Sequence, residues 1–109
     1  MRLPPALTAR ATPEILALLG DPPARVLELG FAGIHAVPLR LAGFEVVVVE
    51  RNARHREQAR QRAGEALAAP PSGPFDAVVA PDGTDLTGIE ARRVVLVRQD
   101  GSVWSSGSS

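Results

Sequence analysis

Residues 25–50, RVLELGFAGIHAVPLRLAGFEVVVVE, carry the reading of the whole chain. Val26 to Leu29 reads as a short strand, apolar on both faces except for one carboxylate, Glu28, as an interior parallel strand should be. Gly30-Phe31-Ala32-Gly33 makes a turn, and a short helix follows from about His35 to Leu41. Pro38 is tolerated there only within the first turn, where its missing N–H breaks no intrahelical bond. Gly43 closes that helix, and Val46 to Val49 is an unbroken β-branched run, the strongest strand signal in the sequence. This second strand ends on another acid, Glu50. Strand, glycine turn, helix and strand form a βαβ unit, and such units hold ligands beyond the carboxyl ends of their strands.

Outward from this unit, Thr12-Pro13-Glu14 opens an earlier helix that Gly20 can end, with Thr12 as N-cap and Glu14 placed against the helix dipole. Residues 1–11 are rich in Pro and Ala and are expected to be loosely ordered. Downstream, Asn52 can cap a long helix running to about Leu67, with Ala59, Ala63 and Ala66 forming a small-residue face. Residues 69–74, APPSGP, are a loop. Phe75 to Ala80 and Arg93 to Arg98 read as two further strands, separated by a segment, Asp85 to Glu90, with room for only a helical turn or two. Asp100-Gly101 is a tight-turn pair, so Ser102-Val103-Trp104 is expected to fold back as a hairpin arm, with residues 105–109 disordered. Strands alternating with helices imply one α/β domain: a small, open, mainly parallel sheet of four to five strands with helices on both faces.

Composition narrows the chemistry. At 109 residues and 45% hydrophobic content, one modest core is feasible. Formal net charge is zero, which gives no global field toward nucleic acid or membrane, and no apolar run is long enough to span a bilayer. The N-terminal stretch does not read as a secretory signal, so a cytoplasmic location is expected. With no Cys, the chain has no disulfide, thiolate metal site or thiol nucleophile. With no Lys, it has neither a Schiff-base amine nor a phosphate-loop lysine. Its two histidines, His35 and His55, do not make a His-rich metal site.

The run Val26-Leu27-Glu28-Leu29-Gly30-Phe31-Ala32-Gly33, the pair Glu50-Arg51, the stretch Phe75-Asp76-Ala77-Val78-Val79 and the strand Arg93-Val94-Val95-Leu96-Val97 resemble, in order and spacing, the class I S-adenosylmethionine-dependent methyltransferases, a Rossmann-like family. The resemblance spans about Pro13 to Asp100. It implies S-adenosylmethionine as cofactor, held by Glu28, Gly30, Phe31, Ala32, Gly33, Glu50 and Arg51, with Glu50 on the ribose hydroxyls and Glu28 toward the methionine end. It also implies a crevice between the first strand and the one at Phe75, with Asp82 and Asp85 where substrate groups would lie. The departures are specific. Ala32 stands where the family has a second glycine, and Gly33 misses the third-glycine position. No third strand separates the long helix from Phe75, and the sixth and seventh strands have no counterpart. The pattern is that of a truncated methyltransferase-like domain.

Each feature also has a plainer reading. Glu28 can be a buried acid satisfied by turn amides. Any tight strand-to-helix turn uses glycine. His35 can be a polar residue at a helix start rather than an acid/base group. The arginines around His55 (Arg51, Arg54, Arg56, Arg60 and Arg62) read as a solvated helix face, and nucleic acid is not expected because no aromatics interleave with them. Asp82 and Asp85 can be turn formers. Three functions therefore compete: a small S-adenosylmethionine-binding protein with methyl transfer to an unassigned acceptor; a non-catalytic, degenerate module acting through homodimerisation at its C-terminal edge or through a protein partner; and, less well matched, a dinucleotide-binding fragment. No catalytic residue is assigned.

Overall fold

The computed structural model describes residues 12–107. The expectations for residues 1–11 and for Ser108 and Ser109 lie outside the described residues. The elements run α1 (Thr12–Leu19), β1 (Arg25–Leu29), α2 (Ala36–Leu41), β2 (Glu45–Val49), α3 (Ala53–Ala63), β3 (Phe75–Pro81), β4 (Ala91–Val97) and β5 (Val103–Gly107). One five-stranded sheet has the order β2-β1-β3-β4-β5. The first four strands are parallel, and β5 returns antiparallel to β4. The sequence therefore led to the right class, an open and mainly parallel α/β sheet.

The layering differs from expectation. Val26, Val46, Val48, Ala77, Val79, Val95 and Val97 form one face of the sheet. Ile15 of α1, Ala36 and Leu39 of α2 and Ala59 of α3 all pack on that face. The opposite face carries Leu27, Leu29, Val49, Phe75 and Val78, covered by Leu67, Leu86 and Ile89. Among the described residues, no helix packs on this second face; the three described helices all lie on the first, where helices on both faces were expected. The reason lies in the connections. The segments before β3 and before β4 are rich in Pro, Gly, Thr and Asp, and they cross the second face as turns and loops.

Two boundaries also moved. The long helix stops at Ala63, four residues short of Leu67, because Gly64 takes a left-handed conformation (φ 86°) and donates to the Arg60 carbonyl. Leu67 instead forms a one-residue parallel bridge with Val49 on the outer side of β2. At the other end, β5 runs through Ser105 and Ser106 to Gly107, paired with β4, where a short arm and a disordered tail were expected. The Asp100-Gly101 turn forms as read: Asp100 Oδ1 accepts from the Ser102 amide and hydroxyl, and Arg98 N donates to Ser102 O.

Candidate functional site

β1 pairs with β2 on one side and β3 on the other, so the chain changes direction across the sheet at β1. In open parallel sheets this is where ligands are held. Side chains along a strand alternate between faces. Glu28 therefore follows Val26 onto the helix-bearing face, and Glu50 follows Val46 and Val48 there. The register pairs Glu28 with Val48, which sets Glu50 one step beyond Glu28 on the same side. Both acids thus meet the turn between β1 and α2, as the sequence suggested.

The two carboxylates hold that turn from both sides. Glu28 Oε2 accepts from the His35 backbone N–H at 2.7 Å, and the nearby Gly33 amide also favours its charged form. His35 is the N-cap of α2 but its own side chain makes no capping bond, so Glu28 satisfies the helix start in its place. Glu50 Oε2 accepts from the Ala32 N–H at 3.0 Å, and its Oε1 lies 3.9 Å from His55 Nδ1. On the far side of the turn, Arg62 donates to the Ala32 carbonyl at 3.1 Å. Ala32 has φ 51°, in the left-handed region that a Cβ disfavours. The bonds to its N–H and C=O from two different elements are what hold a non-glycine residue there.

Glycine is required at two places in the turn. A Cβ on Gly30 would sit 3.0 Å from Pro81 Cδ, at the end of β3. A Cβ on Gly33 would sit 3.3 Å from both Cα and O of Ala59. The small-residue face of α3 thus lets the helix lie directly on the turn.

The interior is polar at one point. Glu28 and His35 are both completely buried. Burial pushes the Glu28 carboxyl up to about 7, against the lowering effect of the His35 and Gly33 amides. Burial also pulls the His35 imidazole down to about 4. His35 Nδ1 lies 2.9 Å from Thr12 Oγ1, and the Phe31 ring packs edge-on to the imidazole at 4.7 Å. Among the described residues, Glu28 Oε1 and His35 Nε2 have no hydrogen-bond partner. His35 is therefore packed inside the turn rather than lining an open crevice. Thr12 stands beside His35, a long-range contact that no local pattern could reveal.

The other candidates divide between this cluster and its surroundings. Phe31 and Ala32 are buried, at 3% and 2% exposure, and Glu50 is 3% exposed. Arg51 reaches the other way, donating to the Asp85 carbonyl at 3.1 Å. Asp85 accepts from the Thr87 hydroxyl and amide, and these bonds hold its carboxyl below the usual range. It is a turn former in this structure. Asp82 is exposed, and its amide donates to Val97 O. Of the arginines read as a solvated face, Arg51, Arg54, Arg60 and Arg62 are exposed, while Arg56 donates to the Glu50 carbonyl and Arg62 to that of Ala32. Arg40, on α2, donates to the carbonyls of Ala63 and Val46.

Among the described residues, no group of three or more His, Asp or Glu side chains could hold a metal ion, and no helix is long and apolar enough to cross a membrane. No family model matches the chain, and no curated protein matches it.

Proposed function

We propose that the protein binds S-adenosylmethionine at the carboxyl ends of β1 and β2, as a small methyltransferase-like protein whose methyl acceptor is unassigned. One observation carries this reading: two acids from neighbouring strands, Glu28 and Glu50, converge on a single glycine turn at the point where the sheet changes direction. In this reading Glu50 exchanges the Ala32 amide for the two ribose hydroxyls, and the freed turn amide faces the ligand. Glu28 stays in place, keeping the turn and the start of α2 in register. Methyl transfer from a sulfonium needs chiefly alignment of the acceptor, so a site with no assigned catalytic residue is compatible with it. Giving up a buried amide–carboxylate bond costs about 1.5–3 kcal/mol, which predicts weak binding for a cofactor of this size.

A second reading, a non-catalytic module derived from the same fold, is favoured by a different observation. Phe31 and Ala32 are buried in the turn, and the Phe31 ring is packed on His35. Titration calorimetry with S-adenosylhomocysteine separates the two. The cofactor reading predicts saturable one-to-one heat with wild type and at least a tenfold loss with Glu50→Gln, which keeps an acceptor for Ala32 but removes the charge on the ribose. Absence of heat from correctly folded wild type at about 1 mM ligand supports the non-catalytic module instead.

A further inference from the structure

The two edges of the sheet are finished differently. On the β2 edge, the Val46 carbonyl is taken by Arg40, the Val48 carbonyl accepts from Leu67 N, and the Glu50 amide donates to Leu67 O. That edge is closed by a charged side chain and a bridging residue, the usual devices against unwanted strand pairing. The β5 edge has none of them. Val103-Trp104-Ser105-Ser106-Gly107 contains no charge and no proline, and among the described residues no strand pairs with its outer side.

The direction of its backbone groups follows from the ladder. Arg98 N donates to Ser102 O, so Arg98 and Ser102 form a hydrogen-bonded pair. Antiparallel pairs alternate between bonded and non-bonded, so Trp104 and Ser106 turn their backbone groups toward β4. Val103, Ser105 and Gly107 turn theirs outward. Side-chain alternation places Trp104 with its partner Leu96 on the helix-free face, where Leu96 and Val94 are half-buried and Trp104 is 41% exposed.

We propose that this edge joins a second copy of the same chain, β5 against β5, in an antiparallel ten-stranded sheet centred on Ser105. The outward pattern is self-complementary. Ser105 pairs with Ser105 of the other copy, and Val103 with Gly107 in both directions, which gives about six new backbone hydrogen bonds. An uncharged strand meets no like charge when opposed to itself, and a chain of zero net charge has no general repulsion to overcome. A foreign strand would find no charge on this edge to recognise, whereas an identical one matches it residue for residue. Across the two-fold, Trp104 stands opposite Ser106 and diagonal to the other Trp104, within reach of an aromatic contact. The helix-free faces then run on as one apolar surface through the paired tryptophans.

The test is independent of any cofactor. Sedimentation equilibrium of the full chain from about 1 µM to about 1 mM should show monomer passing to dimer, with Trp104 emission, the only Trp signal in the chain, shifting blue over the same range. Ser105→Pro removes an outward N–H and leaves the β4 ladder intact, so it should sediment as a monomer with unchanged circular dichroism. Trp104→Glu, which sets like charges across the two-fold from a half-exposed position, should weaken association at least tenfold. A wild-type monomer throughout the range overturns the proposal. So does a dimer that persists in both variants, which would place the interface elsewhere.

Discussion

Replacing Glu28 by Gln should make the stability of this protein depend on pH in a way that the wild type does not. In the folded chain Glu28 keeps its proton up to about pH 7, against an ordinary value of 4.5. Between these values the folded state holds more protons than the unfolded chain. Its contribution is fully present below about 4.5 and is lost as pH rises through about 7. His35 behaves oppositely. Its folded value is about 4 against 6.5, so the unfolded chain holds more protons in between. That contribution is present above about 6.5 and lost as pH falls toward 4. Each shift is worth about 3 kcal/mol at 1.36 kcal/mol per unit. From about pH 4.5 to 6.5 the two slopes have equal size and opposite sign, so together they leave the wild type flat with respect to this pair. Glu28→Gln leaves only the His35 slope, and its stability relative to wild type should rise by about 3 kcal/mol across that window. His35→Asn leaves only the Glu28 slope, and its relative stability should fall by a similar amount. Urea unfolding at half-unit steps from pH 4 to 8 reads both differences, and groups common to all three proteins cancel. A Glu28→Gln curve parallel to wild type would mean that Glu28 is ionised throughout, and the argument from its burial would be wrong.

The turn and its supports give further expectations. Gly33→Ala should cost clearly more than Gly64→Ala. Both need a left-handed Ala, worth about 1–2 kcal/mol, but only Gly33 would also push against the Ala59 backbone; chemical denaturation of the two variants compares them. Arg40→Ala should destabilise by about 1–2 kcal/mol, because one guanidinium serves the carbonyls of both Ala63 and Val46; the same assay measures it. Glu50→Ala should cost about 1–3 kcal/mol by leaving the buried Ala32 amide unpaired, and Glu50→Gln should recover most of that loss. If thermal unfolding found the two Glu50 variants equally unstable, the amide bond to Ala32 would not be what the side chain contributes.

Much of the fold was legible because its signals are local. The valine run of β2, the Asn52 cap, whose side chain accepts from His55 N, and the Asp100-Gly101 turn all act within a few residues. The period of two along β1 and β2 also brought Glu28 and Glu50 together, since it depends only on residue spacing. The end of α3 was misread because Ala66 and Leu67 continue a helical pattern past Gly64, whose left-handed φ stops the helix. The loop character of the connections before β3 and β4 was legible, but not that Leu67, Leu86 and Ile89 from them would cover the second face. At the site, sequence could supply the acids but not their occupants. The amides of Ala32 and His35 reach the carboxylates only once α2 is placed, and Thr12 and Arg62 arrive from remote elements. His35 stands at the start of α2 as read from sequence, but its side chain is buried against Phe31, which sequence did not show.

The central claim is that the Glu50 carboxylate can leave the Ala32 amide for the ribose of an adenosyl ligand. Amide proton and nitrogen shifts of Gly30, Ala32 and Gly33, followed while S-adenosylhomocysteine is added, observe that exchange directly. The account predicts a saturable shift largest at Ala32, with its proton moving upfield as the carboxylate bond is lost, and no such shift in Glu50→Ala. A spectrum in which these three amides stay fixed at about 1 mM ligand, or move alike in wild type and Glu50→Ala, contradicts it.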